Sequence, residues 1–470
     1  MKKLFLSPMI ALILCAALLL GGCASPAPAK APELSDAPVP TALLAPTPVP
    51  TPAPTPVPAE SEYYRDSRML AYADHIAGAG LNIQPGEEVL ISAPVYTSEL
   101  VDLVAEACYA RGACAVNVVY GDTARNYSAM RHLKDKDYSE LVFDSTLASW
   151  LSGENSSVCY LSIISPRFDL ERPDAAAREQ YSEAAKKFLY SIKDWDKSEF
   201  PPDKRWCVAA CVNPSWAKKV YPDQSDAEAI SMLWEDIFSF VYLDKTATTA
   251  SIAAVRRSEL DERAAILTEM GIESLHFVGG DTDITVRLHQ PHRFQGPTTV
   301  DAHGEETLPN IPCEECFTMP EKTGVNGTVA ASRPLVLSNG TVIEDLRMTF
   351  VDGRLTEYAA STNEEAFAAL LEEESMRYLG EVALVSANSP IYATGRVYYT
   401  TLFDENATCH MAIGHAYPDF NLPAGTEPDE QVNAGDNHID FMFGTDDMAI
   451  TATLLDGTQR PIFQNGVWAF

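Results

Sequence analysis

From Asp66 to about Tyr242 the chain alternates helical and strand-like patterns, and this alternation limits its fold more than any other feature. Met69 to Ala79 carries helical periodicity, Glu88-Val-Leu-Ile-Ser-Ala-Pro reads as a strand, Glu99 to Arg111 as an amphipathic helix, and Ala115-Val-Asn-Val-Val-Tyr as a buried strand. Strands joined through helices run parallel, with right-handed crossovers, so residues 62–250 are expected to form an α/β part around a parallel sheet. Gly78-Ala79-Gly80 follows a helix and precedes a strand, the reverse of the order a phosphate loop needs, so no nucleotide site is expected there.

After about Ser274 the texture changes to short strands and turns. Asp283-Ile-Thr-Val-Arg-Leu and Leu335-Val-Leu read as strands, and Asp352-Gly353 between two alternating runs marks a hairpin. One helical run, Asn363 to Tyr378, interrupts them, with Glu364 and Glu365 where a helix dipole favours negative charge. Residues 251–470 are therefore expected to form a mixed, mostly antiparallel α+β domain. Two parts suit a chain longer than one core usually organises.

The N-terminus belongs to neither part. Residues 1–22 pair Lys2 and Lys3 with an apolar run too short to span a bilayer and end in Leu20-Gly21-Gly22, directly before Cys23. This is the layout of a lipoprotein signal, so cleavage before Cys23 and lipidation of it are expected. Residues 23–61 are dominated by Pro, Ala, Thr and Val, with no face to bury. They are expected to be an extended spacer, its Pro-rich tract from Ser25 to about Glu60 reaching up to roughly 110 Å at ~3.1 Å per residue. The expected location is extracytoplasmic, lipid-anchored to the cell membrane. A formal charge of −32 excludes nucleic acid and anionic lipid as electrostatic partners.

Eight cysteines lie beyond Cys23, and most sit in apolar segments, where a free thiol packs like a small hydrophobe. Cys313-Glu-Glu-Cys316 has no second pair at zinc-ribbon spacing, so a four-thiolate zinc site is not expected.

Polar chemistry concentrates near the C-terminus. The stretch Leu402-Phe-Asp-Glu-Asn-Ala-Thr-Cys-His-Met-Ala-Ile-Gly-His-Ala-Tyr-Pro holds Asp404, Glu405, His410, His415 and Tyr417. His438 and Asp440 are two apart in a strand-like run and so share one face. His410 and Tyr417 are seven apart and would share a face if their segment were helical. Glu381 opens a strand, and of the neighbours Glu314 and Glu315 only one can point inward from an extended segment. Two imidazoles and three carboxylates would suit a pair of divalent ions such as zinc, cobalt or manganese, although solvated acids and core histidines would look alike on composition.

Several stretches resemble one family. Leu81-Asn-Ile-Gln-Pro-Gly-Glu, Asn213-Pro-Ser-Trp-Ala-Lys-Lys-Val-Tyr-Pro, Pro309-Asn-Ile-Pro-Cys-Glu-Glu-Cys-Phe-Thr, Leu379-Gly-Glu-Val-Ala-Leu-Val, Thr401-Leu-Phe-Asp-Glu-Asn-Ala-Thr-Cys-His and His438-Ile-Asp-Phe-Met-Phe-Gly are similar to the aminopeptidase T / aminopeptidase S family, the thermophilic-type metalloaminopeptidases. The resemblance runs from about Met69 to Phe470. It implies that Glu315, Glu381, His410, His438 and Asp440 ligate two metal ions with Tyr417 beside them, that His415 binds no metal and lies at the surface or behind the ligands, and that the protein dimerises around an enclosed cavity. Cys313 and Cys316 beside the glutamate pair, and Ser386 where the family commonly has proline, are departures bearing on metal preference. The activity implied is hydrolysis of the N-terminal residue of peptides, with Tyr417 donating to the oxyanion and Glu314 or another carboxylate moving the proton. The alternative is a peptide-binding lipoprotein with a structural metal site and no turnover.

Overall fold

The computed structural model describes residues 66–133, 158–174, 177–178, 180–181, 205–243, 250–337, 341–435 and 437–470. The signal sequence, Cys23 and the Pro-rich spacer lie outside the described residues. Helix α1 (Ser67–His75) leads through a widened turn (Ile76–Gly80) to strand β1 (Glu88–Pro94), helix α2 (Ser98–Ala110), strand β2 (Ala115–Gly121) and helix α3 (Thr123–Leu133). Strands β3 (Val158–Ile164) and β4 (Trp206–Ala210) follow, then helices α4 (Pro214–Val220) and α5 (Asp226–Phe240). Asn213 caps α4 ahead of Pro214, and Ser225 with Glu228 closes a capping box on α5, so both helix starts are written locally. The four strands form a parallel sheet in the order β2-β1-β3-β4. Val89, Ile91, Leu161 and Ile163 meet Leu100 and Val104 of α2 and Trp216, Leu233 and Phe240 of α4 and α5 in one core. This α/β arrangement is the one the alternating pattern predicted.

Helix α6 (Ala250–Glu269) opens the remainder, with Leu260, Ala264 and Leu267 packed into a second core. Strands β5 (Ile272–Gly279), β6 (Thr282–Leu288), β7 (Glu315–Thr318), β8 (Pro320–Ala330), β9 (Arg347–Val351) and β10 (Arg354–Ala359) come next. After helix α7 (Glu364–Leu370) follow β11 (Leu379–Val385), β12 (His410–Gly414), β13 (His438–Met442), β14 (Ala449–Leu454), β15 (Gln459–Gln464) and β16 (Val467–Trp468). They build an eight-stranded sheet, β10-β9-β8-β6-β5-β14-β15-β16, and a four-stranded sheet, β13-β12-β11-β7, both antiparallel. Asp352 and Gly353 turn between β9 and β10 with φ of 48° and 80°, the hairpin the Asp-Gly pair signals.

The helical run expected over residues 363–378 breaks in two. α7 ends at Leu370, and a single 3-10 turn spans Glu374–Arg377. Five glutamates crowd the stretch, which disfavours one continuous helix, and the break lets Phe367, Leu371 and Met376 all enter the second core. The two cores are not separate. Ile391, Tyr398, Leu402, Phe403 and Ala407, from the segment leading to β12, pack into the first one. Phe403 stacks on Trp216 at 5.6 Å between ring centroids, and the Trp216 indole N–H donates to the Tyr398 carbonyl at 2.7 Å.

Candidate metal centre

The four-stranded sheet has an apolar face and a polar face. Cys316, Val382, Leu384, Met411, Ile413 and Phe441 enter the second core, so alternation turns Glu315, Glu381, His410, His438 and Asp440 to the opposite side. Leu379 and Glu381 would share a face in a regular strand. A bulge between them shifts the pairing, so that Leu379 enters the core and Glu381 the polar face. Gly380 makes the bulge possible, because a Cβ there would lie 2.3 Å from the His415 carbonyl oxygen. Across the sheet Glu381 pairs with Ala412, and Ala412 with Asp440, so a methyl group stands between two carboxylates and leaves room above it.

The donor atoms converge. His410 Nε2 lies 3.0 Å from Glu315 Oε2 and 3.3 Å from Glu381 Oε1. His438 Nε2 lies 3.8 Å from the other oxygen of Glu381 and 3.0 Å from Asp440 Oδ1. Glu315, Glu381 and His410 each bring one donor within 4.8 Å of the others, as do Glu381, His438 and Asp440. Glu381 belongs to both groups and turns one oxygen to each.

Both imidazoles are oriented from behind. His438 Nδ1–H donates to the His415 carbonyl at 2.7 Å, and His410 Nδ1–H to the Thr408 carbonyl at 3.4 Å, which leaves each Nε2 facing the carboxylates. Burial opposes charge on either ring, but Asp440 and Glu381 outweigh it at His438 and lift it to about 9, while Glu315 and Glu381 lift His410 well above its usual value. Burial also raises Glu381. The mixed His, Asp and Glu donors, the outer hydrogen bonds and the shared carboxylate together fit divalent ions.

Tyr417 stacks on His438 with ring centroids 4.3 Å apart and 27° between planes. Burial and the surrounding carboxylates raise its phenol well above the usual value. His410 and Tyr417 do not share a helix. His410 lies on β12, and the chain turns at Gly414, with φ of 101°, before Tyr417. His415 is buried at 4 % exposure with its ring 5.7 Å from Tyr417, so the surface half of its reading fails and the supporting half, through its carbonyl, stands.

Glu314 is not brought to the cluster. It points to the other side of the chain, where Tyr242 Oη donates to it at 2.5 Å and Arg256 at 2.7 and 3.1 Å. Alternation separates it from Glu315. A different carboxylate joins the site: Glu405, on the 3-10 turn Glu405–Ala407, which packs against β13. Burial, then the charges of Asp440 and Glu315, raise its carboxyl well above the ordinary range. Sequence reading found Glu405 in the polar stretch without a role, because a one-turn helix leaves no periodic signal. All eight cysteines among the described residues are free. Cys313 Sγ lies 3.8 Å from Glu315 Oε1, whereas Cys316 Sγ donates to the Leu260 carbonyl in the core.

Over residues 65–468 the chain matches the thermophilic metalloprotease (M29) family. It is 33 % identical to aminopeptidase AmpS of Bacillus subtilis over 414 residues, 86 % of this chain and 98 % of that protein. It is 36 % identical to aminopeptidase T of Thermus aquaticus over 399 residues, 83 % of this chain and 95 % of that one. The solved structure of wild-type AmpT from Thermus thermophilus superposes with a TM-score of 0.76 at 31 % identity, covering 86 % of this chain and 99 % of that chain.

Proposed function

The chain belongs to the thermophilic metalloprotease (M29) family, and from that premise we propose that it removes the N-terminal residue of peptides at a two-metal site. The observation that carries this reading is Glu381, whose two oxygens each face a separate imidazole and carboxylate. Glu315, Glu381 and His410 would hold one divalent ion, and Glu381, His438 and Asp440 the other; zinc, cobalt and manganese all suit these donors. When bound, the ions supply a water of lowered pKa and polarise the scissile carbonyl.

The rest is done by the chain's own side chains. Tyr417 keeps its proton at working pH and donates it as a hydrogen bond to the oxygen that gains charge. Glu405, on the turn that packs against β13, is the carboxylate assigned to take the proton of the attacking water and return it to the leaving amine. Glu314, tied to Arg256 and Tyr242, is set aside as proton carrier. Residues 62–250 and 251–470 act as two parts of one body, since the segment carrying Glu405 is seated in the first core.

The deciding experiment incubates residues 61–470 with a short peptide and its N-acetylated twin, with and without chelator. Chelator-sensitive release of the first residue from the free peptide alone is expected. No release with zinc, cobalt or manganese restored would replace this reading with peptide capture around a structural metal. We also propose an extracytoplasmic enzyme anchored through lipid on Cys23, supported by the leader and spacer sequence; membrane fractionation of Cys23→Ser, which should release it, tests this. Light scattering of the released protein decides whether it forms the dimer that the sequence resemblance implies.

A further inference from the structure

The polar face of the four-stranded sheet does not end at the donors. Alternation along β7 sends Cys316 into the second core and leaves Phe317 on the same side as Glu315. From there four rings form a row. Tyr417, stacked on His438 at 4.3 Å, meets Phe317 edge-on at 6.5 Å; Phe317 meets Phe420 at 6.5 Å, and Phe420 meets Trp206 of β4 at 6.2 Å. Phe420 lies on the short helix Pro418–Asn421 that follows Tyr417. All four rings belong to half-buried residues, whereas Phe238, Phe240 and Phe443 of the two cores are fully buried. Aromatic rings left partly open side by side, next to convergent polar groups, are what lines a ligand pocket.

The row is held rigidly. The Phe317 backbone exchanges two hydrogen bonds with that of Gln295, at 2.8 and 2.9 Å, and its carbonyl also accepts from Asn421 Nδ2 at 3.2 Å. Arg293 Nε donates to the Phe420 carbonyl at 2.9 Å and Arg293 Nη2 to the Gln295 side-chain oxygen at 2.6 Å. The shelf is therefore in place before a ligand arrives, and little ordering entropy is lost on binding.

We propose that this aromatic shelf receives the side chain of the substrate's first residue, so that peptides beginning with a large apolar residue, aromatic above all, are the favoured class. This rests on the reading of the metal centre given above. Tyr417 joins the two: it is the donor assigned to the oxygen of the scissile carbonyl, and it is also the inner ring of the row. The first residue's Cβ is two bonds from that carbonyl carbon and the second residue's is three, so the first side chain is the one nearer the shelf. A ring laid there buries apolar surface against ring edges and faces.

The test is kcat/KM of the full-length protein in detergent, with metal supplied and its content measured, on Phe-Gly-Gly and Ala-Gly-Gly. Phe-Gly-Gly is expected to be favoured by a factor of about ten or more, with Gly-Phe-Gly and Gly-Ala-Gly within about threefold of each other. In Phe317→Ala and Phe420→Ala the preference should shrink to less than about threefold, most of the loss falling on Phe-Gly-Gly. A purely structural role for the rings would lower both rates alike and keep the ratio. Equal rates on the first pair in wild type, a ratio kept in both variants, or a preference seen at the second position overturns the proposal. Should the alanine variants fail to fold, Phe420→Leu keeps apolar bulk without the ring; an intermediate ratio supports the shelf and an unchanged one overturns it. No turnover of any peptide defeats the hydrolytic reading instead, and the shelf is then judged by binding. A saturable change in tryptophan fluorescence with phenylalaninamide and not with alaninamide, lost in Phe420→Ala, upholds it, and no difference between the two amides overturns it.

Discussion

Replacing Tyr417 with Phe isolates one hydroxyl. The ring's contacts with His438 at 4.3 Å, His415 at 5.7 Å and Phe317 at 6.5 Å are all made by carbon faces and edges that Phe retains. Folding stability should therefore change by less than about 1 kcal/mol, as for substitutions that create neither cavity nor unpaired charge. Turnover should respond differently. The Tyr417 phenol stays protonated because burial and four nearby carboxylates hold its proton, so it is a donor throughout the working range. Losing one oxyanion donor costs about 10²–10³ in kcat, or about 2.7–4 kcal/mol of transition-state stabilisation. The assay is initial-rate kinetics on a short peptide with metal restored, beside metal analysis of each preparation. A fall in kcat with KM and metal content unchanged is expected. A kcat within about threefold of wild type, worth only about 0.7 kcal/mol, would refute the role of Tyr417.

Other outcomes follow from the same geometry. Glu381→Ala strips a donor from both groups and should leave less than one bound ion per chain by elemental analysis, whereas Glu315→Ala and Asp440→Ala should each retain one; equal losses in all three would contradict the shared carboxylate. Arg256→Met removes both guanidinium hydrogen bonds and leaves the buried Glu314 carboxylate with Tyr242 as its side-chain donor, and denaturant unfolding should report a cost of about 3–5 kcal/mol. Burial lifts Asp404 to about 6, against the backbone N–H of Tyr398 and the Arg333 charge. A carboxyl raised in the folded state takes up a proton on folding, so its contribution is full at low pH and is lost as pH rises through about 6. Wild type should therefore gain in melting temperature over Asp404→Asn as the pH is lowered from about 7 to 5, and a constant difference would refute the shift.

Much of this was legible in the chain. The strand Glu88–Pro94, the alternation of β and α elements, the Asp-Gly hairpin and the shared face of His438 and Asp440 all follow from periods of 2 and 3.6 and from turn chemistry, which act over a few residues. The resemblance that named Glu315, Glu381, His410, His438 and Asp440 also rests on short stretches. The single helix expected over 363–378 breaks in two, and the condition of a helix joining His410 to Tyr417 is not met, because spacing constrains partners only once the secondary structure is known.

What no local pattern contains is where separate segments meet. The bulge at Gly380 that turns Glu381 to the polar face depends on the close approach of Gly414 and His415. The assignment of Glu405 in place of Glu314 depends on the 3-10 turn docking on β13 and on Asn406 reaching Glu314, 92 residues away. Thus the sequence alone determined the two textures, the elements and the residue types able to bind metal, since these are set by interactions along the chain. Tertiary structure decided which carboxylates share a cavity and which are neutralised elsewhere, because a buried charge is governed by the groups that packing brings around it.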